Sequence, residues 1–198
     1  MERYKTIKQK LKSTKGEFFI YRFLSKMCRK IYNYALANIK NNYELNKTYI
    51  NKYDNYGMLK DNEVSLWLNS EMFQKTIYSA NEAYEAYFSL LKYQKDNHMK
   101  ITAKEPDYIR GYYPITFSYL GKKMKNGKRV FNIPLSVPFK RLLRELAPDI
   151  NYLKQFCDVS KLDLPDNYFI KLSIPKILTD KKLKKYLLFL CIMVRNLK

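Results

Sequence analysis

Between Tyr108 and Arg144 the chain has nine basic residues and no acidic one: Arg110, Lys122, Lys123, Lys125, Lys128, Arg129, Lys140, Arg141 and Arg144. Side chains of this kind neutralise phosphate and release its counterions. Lys122, Lys123, Lys125, Lys128 and Arg129 flank an Asn126-Gly127 turn, from which long side chains reach a backbone of phosphates. Tyr108, Tyr112 and Tyr113 surround Arg110, and an unpaired base stacks on such rings. In a chain with 19 tyrosines, packing is the competing use of each ring. Lys5, Lys8, Lys10 and Lys12 are expected to add to a positive sheet face, and Arg29 and Lys30 add charge beside Asn33. Asn33 serves equally as part of that contact or as a cap or packing residue. Lys181, Lys182, Lys184 and Lys185 form either a further phosphate patch or a solubilising strand edge.

The net charge is +20, from 38 Lys+Arg against 18 Asp+Glu, and it lies in blocks. Met1–Lys52 carries 13 basic and 3 acidic residues, whereas Tyr53–Asp107 carries 6 and 9. An AT-rich gene would enrich Lys, Asn, Tyr and Ile, but it does not explain a deficit of acids or an acid-free stretch beside an acid-rich one. Like charges repel within a compact fold, and a polyanion relieves that repulsion. Nucleic acid is the expected partner; a solvated basic surface or an anionic membrane is the alternative.

Nothing in the sequence assembles a catalytic centre. Cys28, Cys157 and Cys191 lie far apart, without zinc-type spacing, and each reads as a small buried hydrophobe. His98 is the single histidine and sits among polar residues, as a surface residue would. Asp149, Asp158, Asp163 and Asp166 read as solvated loop acids rather than metal ligands. There is no Gly-rich phosphate loop. Catalytic residues, metal ligands and cofactors are therefore all expected to be absent.

Hydrophobic residues make up 46% and aromatics 16%, enough for a packed core in one domain or two small ones. The N-terminus lacks the apolar segment of a signal peptide, and the longest apolar run, Tyr186–Val194, is too short to span a bilayer. A reducing cytoplasm fits, with no membrane partner.

These residues need elements to hold them. Residues 3–12 read as a first strand. Glu17 to about Leu45 has Leu24, Cys28, Ile31, Ala35 and Asn38 at helical spacing, uninterrupted by Gly or Pro. The stretch 46–55 looks like a loop and 58–68 like a short helix. A third helix starts with Ser70 as N-cap and carries Phe73, Ile77, Ala80, Tyr84, Tyr87 and Leu91 as a stripe, backed by Phe88. Beyond Ala103, Gly and Pro punctuate the chain. Tyr112–Leu120 and Lys128–Leu135 read as strands joined by a hairpin turn, Phe139 to about Phe156 as a helix broken near Pro148, and Tyr168–Ile174 and Tyr186–Val194 as two more strands. A small barrel with a helical domain inserted after its first strand accounts for this order.

Several segments resemble one family. In LSKMCRKIYNYALANIKNNYELN, Leu24–Asn46, the residues Arg29, Tyr32-Asn33, Ala35-Leu36 and Tyr43 resemble the early helix of TnpB proteins, the RNA-guided nucleases of insertion sequences related to type V CRISPR effectors. Gln74 with SANEAYEAYFSLLK, and KEPDYI leading into YYPITFS, are similar to later segments of that family. The resemblance extends to about Lys176, with Leu135–Asp166 standing apart as an insertion. It implies an α+β fold: an OB-like wedge barrel holding a helical recognition lobe. The units would be 1–16 as first barrel strand, 17–105 as helical lobe, and 106–198 as the rest of the barrel with a helical insertion near 136–160. It also implies a structured guide RNA and its heteroduplex with target DNA as partners, held by backbone contacts. The family's RuvC-like nuclease domain and zinc cysteines have no counterpart here, so a non-catalytic role is expected, as a truncated remnant or a working short form. The alternative is a basic adaptor of a phage or mobile element that meets an acidic protein.

Overall fold

The computed structural model describes the backbone of residues 4–12, 15–98, 103–120, 124–125, 128–146, 154–157, 167–173 and 187–195, and the side chains of residues 16–98, 103–117 and 133–146. Strand β1 (Tyr4–Lys12) leads into helix α1 (Lys15–Asn46), α2 (Lys52–Leu59), a 3-10 turn (Glu63–Trp67) and α3 (Ser70–Asp96). Then follow β2 (Ile115–Leu120), β3 (Met124–Lys125), β4 (Lys128–Asn132), α4 (Val137–Leu146), β5 (Lys154–Cys157), β6 (Asn167–Ser173) and β7 (Leu187–Arg195).

Helix α1 is the spine. With about 1.5 Å of rise per residue, its 32 residues span about 48 Å. Tyr21, Leu24, Cys28, Ile31, Ala35, Leu36 and Ile39 recur at spacings of three, four or one and are all buried. Against them pack Met72, Phe73, Ile77, Ala80 and Tyr84 of α3. Asn69, one residue ahead of the expected Ser70, caps α3: its side chain accepts from the Glu71 amide at 3.0 Å. The stripe is buried as far as Tyr84. Tyr87 and Phe88 are half-buried, and Leu91 is exposed.

The Asn-rich stretch expected to be a loop starts a helix instead. Asn51 accepts from the amides of Tyr53 (2.8 Å) and Asp54 (3.1 Å), satisfying donors that an α-helix leaves free at its first turn. Asn62 does the same for the 3-10 turn through the Val64 amide. The helix expected at 58–68 is therefore replaced by α2 and that turn.

Among the described residues the OB-like barrel is not formed. The strands pair as two open ladders, β1-β7-β6-β2 and β3-β4-β5, and no described pairing joins β1 to β2. A barrel needs every edge paired, but β1 and β2 are left as edges, and β3 contributes only two residues. Among the residues with described side chains the body is helical. Ile115–Phe117 of β2 is the strand there, with Ile115 and Phe117 buried on it; its partner β6 is described by its backbone alone. The expected helical insertion is also shorter than its sequence reading. α4 is described over Val137–Leu146, and Lys154–Cys157, expected to be mostly helical, is extended. The expected hairpin between Tyr112–Leu120 and Lys128–Leu135 is not the pairing described: β2 pairs with β6, and β4 pairs with the two-residue β3 (Lys125↔Lys128) and with β5, while Asn126-Gly127 lie outside the described residues.

Candidate nucleic-acid interface

The segment Ala103–Pro114 is an extended strap running antiparallel along α1. Ser25 Oγ donates to the Tyr113 carbonyl at 2.6 Å. One turn on, Arg29 Nη1 donates to the carbonyls of Arg110 (2.7 Å) and Gly111 (3.3 Å). A further turn on, Asn33 grips both sides of one residue: its Nδ2 donates to the Ile109 carbonyl at 3.0 Å, and its Oδ1 accepts from the Ile109 amide at 2.9 Å. The spacing fits because four extended residues cover about 13 Å and eight helical ones about 12 Å. At the far end, Lys40 Nζ pairs with Glu105 at 3.3 Å and lies 5.2 Å from the Tyr108 ring centroid. The Tyr84 hydroxyl donates to the other Glu105 oxygen.

This contact brings two acid-free segments together. α1 has no Asp or Glu between Phe18 and Tyr43, and the strap opens the acid-free run Tyr108–Arg144. Lys26, Lys30 and Arg110 are exposed where the two segments meet. α4, within that run up to Arg144 and carrying Glu145 in its last turn, joins the same end of α1: Phe139 stacks on Phe23 with centroids 5.0 Å apart, and Trp67 meets both rings edge-on. Its Lys140, Arg141 and Arg144 are exposed.

The expected contact residues with described side chains divide into three groups. Lys30, Arg110, Lys140, Arg141 and Arg144 stand at the surface around the front of α1. Arg29 is half-buried and holds the strap through main-chain carbonyls, which fixes its position while leaving its charge at the interface. Tyr113 is a packing residue: it stacks on Tyr32 at 4.7 Å, and burial pushes its hydroxyl pKa up. Tyr112 is half-buried under Arg22, whose guanidinium carbon is 5.8 Å from the ring centroid. Neither ring is a free stacking platform. Lys122 and Lys123 lie outside the described residues. For Lys5, Lys8, Lys10, Lys12, Lys125, Lys128 and Arg129 the backbone alone is described. Alternation along β1 puts positions 8, 10 and 12 on one face and position 5 on the other, so the four do not share one positive face. The Lys181–Lys185 cluster lies outside the described residues.

Sequence reasoning missed Ser25, Arg22 and Lys26. Their signal was present as two neighbouring i, i+4 rows on α1: Ser25-Arg29-Asn33 under the strap, and Arg22-Lys26-Lys30 beside it. Elsewhere, Cys28 is fully buried and its thiol is pushed by burial up to about 12, so it is inert packing. His98 is exposed at the end of α3 with φ 48°. Among the described residues, no three His, Cys, Asp or Glu side chains group to hold a metal. Among them, too, no helix is long and apolar enough to cross a membrane. No protein-family model matches this chain, and no curated protein matches it either.

Proposed function

We propose that this chain binds nucleic acid through the cationic surface around the N-terminal half of α1. The supporting observation is the convergence there of stretches distant in sequence that carry no acid, Phe18–Tyr43 of α1, Tyr108–Pro114 of the strap and Val137–Arg144 of α4, bounded by Glu17, Asp107 and Glu145. Bringing cations together without carboxylates between them costs folding energy, and a bound polyanion offsets it. Phosphate contacts of this kind position a strand without reading its sequence. A structured guide RNA as the ligand is supported by the TnpB resemblance in α1 and the strap alone, since the barrel that resemblance implied is absent.

The test is to purify the full chain in moderate salt and sequence the nucleic acid that accompanies it. One dominant structured RNA encoded near the gene is the expected result. Clean protein without nucleic acid, which also fails to bind added RNA or DNA at low salt, would sink the proposal. An acidic protein partner would then be the better reading.

A further inference from the structure

A groove of about 570 Å³ runs between the N-terminal part of α1 and the length of α4. Phe19, Phe23, Phe139, Leu142 and Leu143 line it, and Arg22 and Lys26 supply its charge; no carboxylate faces it. Phe19 is 52% exposed although it is a large apolar ring next to the core. The groove is within the size range of clefts that take small ligands, and it joins an apolar wall to cations as such sites do. Arg22 adds a second, independent sign. Its guanidinium lies against the Tyr112 ring, and among the described residues its Nε is a buried nitrogen with no hydrogen-bond acceptor. A charged donor held without an acceptor is costly, and an anion reaching the Nε–Nη edge removes that cost.

We propose that this groove captures an unpaired nucleotide of a single strand, with the base against Phe19 and the adjoining phosphate on Arg22 and Lys26. The inference rests on the nucleic-acid reading above and adds a substrate class to it. Base-paired helices keep their base faces stacked inward, so a duplex has no face to offer Phe19. A single strand has one, and aromatic rings accept it with little regard to sequence. A wholly apolar occupant would leave Arg22 Nε as it is, whereas a nucleotide brings both a π-face and an anion.

Fluorescence anisotropy on the full chain decides this, with labelled oligouridylate, oligothymidylate and an RNA duplex of equal length at one salt concentration. Phe19→Ala is expected to weaken single-strand binding about tenfold and to leave duplex binding within about twofold. Phe19→Tyr, which keeps the ring, should restore single-strand affinity, and this separates a lost stack from a damaged fold. Arg22→Gln should weaken single-strand binding and lower the salt slope by about one. A preference between oligouridylate and oligothymidylate assigns the groove to RNA or to DNA. If both variants bind single strands as the parent does, or if Phe19→Ala weakens duplex and single strand equally, the groove proposal fails while nucleic-acid binding stands. If the parent binds none of the three probes, both proposals fail.

Discussion

Asn33 sets the position of the strap, because a single side chain satisfies both backbone groups of Ile109. Asn33→Leu leaves an amide and a carbonyl without partners in a half-buried setting, and should cost about 2–3 kcal/mol in urea denaturation. The same change should speed tryptic cleavage after Arg110, since the strap then loses the contact that fixes both backbone groups of Ile109. Cys28 makes a prediction about pH. Its thiol moves from the usual 9.0 to about 12 because burial disfavours the thiolate. A group raised on folding stabilises the fold fully below its unfolded pKa and loses that contribution as pH climbs toward the folded value. Stability from this group should therefore be level to about pH 9 and fall between 9 and 12. Tyr49, raised from 10.0 to about 12 chiefly by burial, adds a fall that begins one unit later. Cys28→Ala should remove the earlier onset and keep the later one, as read from urea midpoints across the alkaline range. The native thiol should also resist alkylation at pH 8.

At the scale of elements, the helices are joined by a buried amide cluster as well as by apolar stripes. Asn55 Nδ2 donates to the Ala35 carbonyl (3.1 Å) and to Asn81 Oδ1 (3.0 Å), while its own Oδ1 accepts from Asn38 Nδ2 (3.1 Å). Asn81 in turn donates to the Tyr49 hydroxyl (2.9 Å) and the Ile50 carbonyl (2.8 Å). α2 is thereby fixed between α1 and α3. Asn55→Ala should destabilise the protein by about 2–3 kcal/mol by leaving buried polar groups unpaired, whereas Asn51→Ala, which removes only the α2 cap, should cost about 1 kcal/mol. Thermal melts of the two variants would rank them. The long helices were legible because burial imposes a 3.6-residue period on Leu24, Cys28, Ile31 and Ala35. α2 was not legible. Its asparagines suit a loop as well as a cap, and only the direction of the Asn51 side chain distinguishes the two. The start of β2 was read too early for a similar reason: Tyr112 and Tyr113 have strand character but are held as strap by Arg22, Ser25 and Tyr32.

At the scale of the molecule, the charge map predicts where binding is sensitive. Lys26→Glu with Lys30→Glu should weaken RNA binding far more than Lys92→Glu with Lys95→Glu, although all four lysines are exposed and the change in net charge is the same. The second pair lies on the last turns of α3, in the acid-rich part of the sequence. With about six phosphate contacts, affinity should fall about a thousandfold between 50 and 200 mM salt, and a flat salt profile would contradict phosphate binding. The sequence by itself determined the sign and blocks of charge and the periodicity of α1 and α3, because each depends on residues near one another along the chain. Tertiary structure alone decided three things. The strands pair in open ladders rather than closing a barrel, since closure depends on which distant edges meet. Tyr113 is packing and not a platform, since burial is set by Tyr32 from another element. Arg22, Lys26 and Phe19 share a groove with α4, since only the packing of Phe139 on Phe23 brings residues so far apart in sequence to one surface.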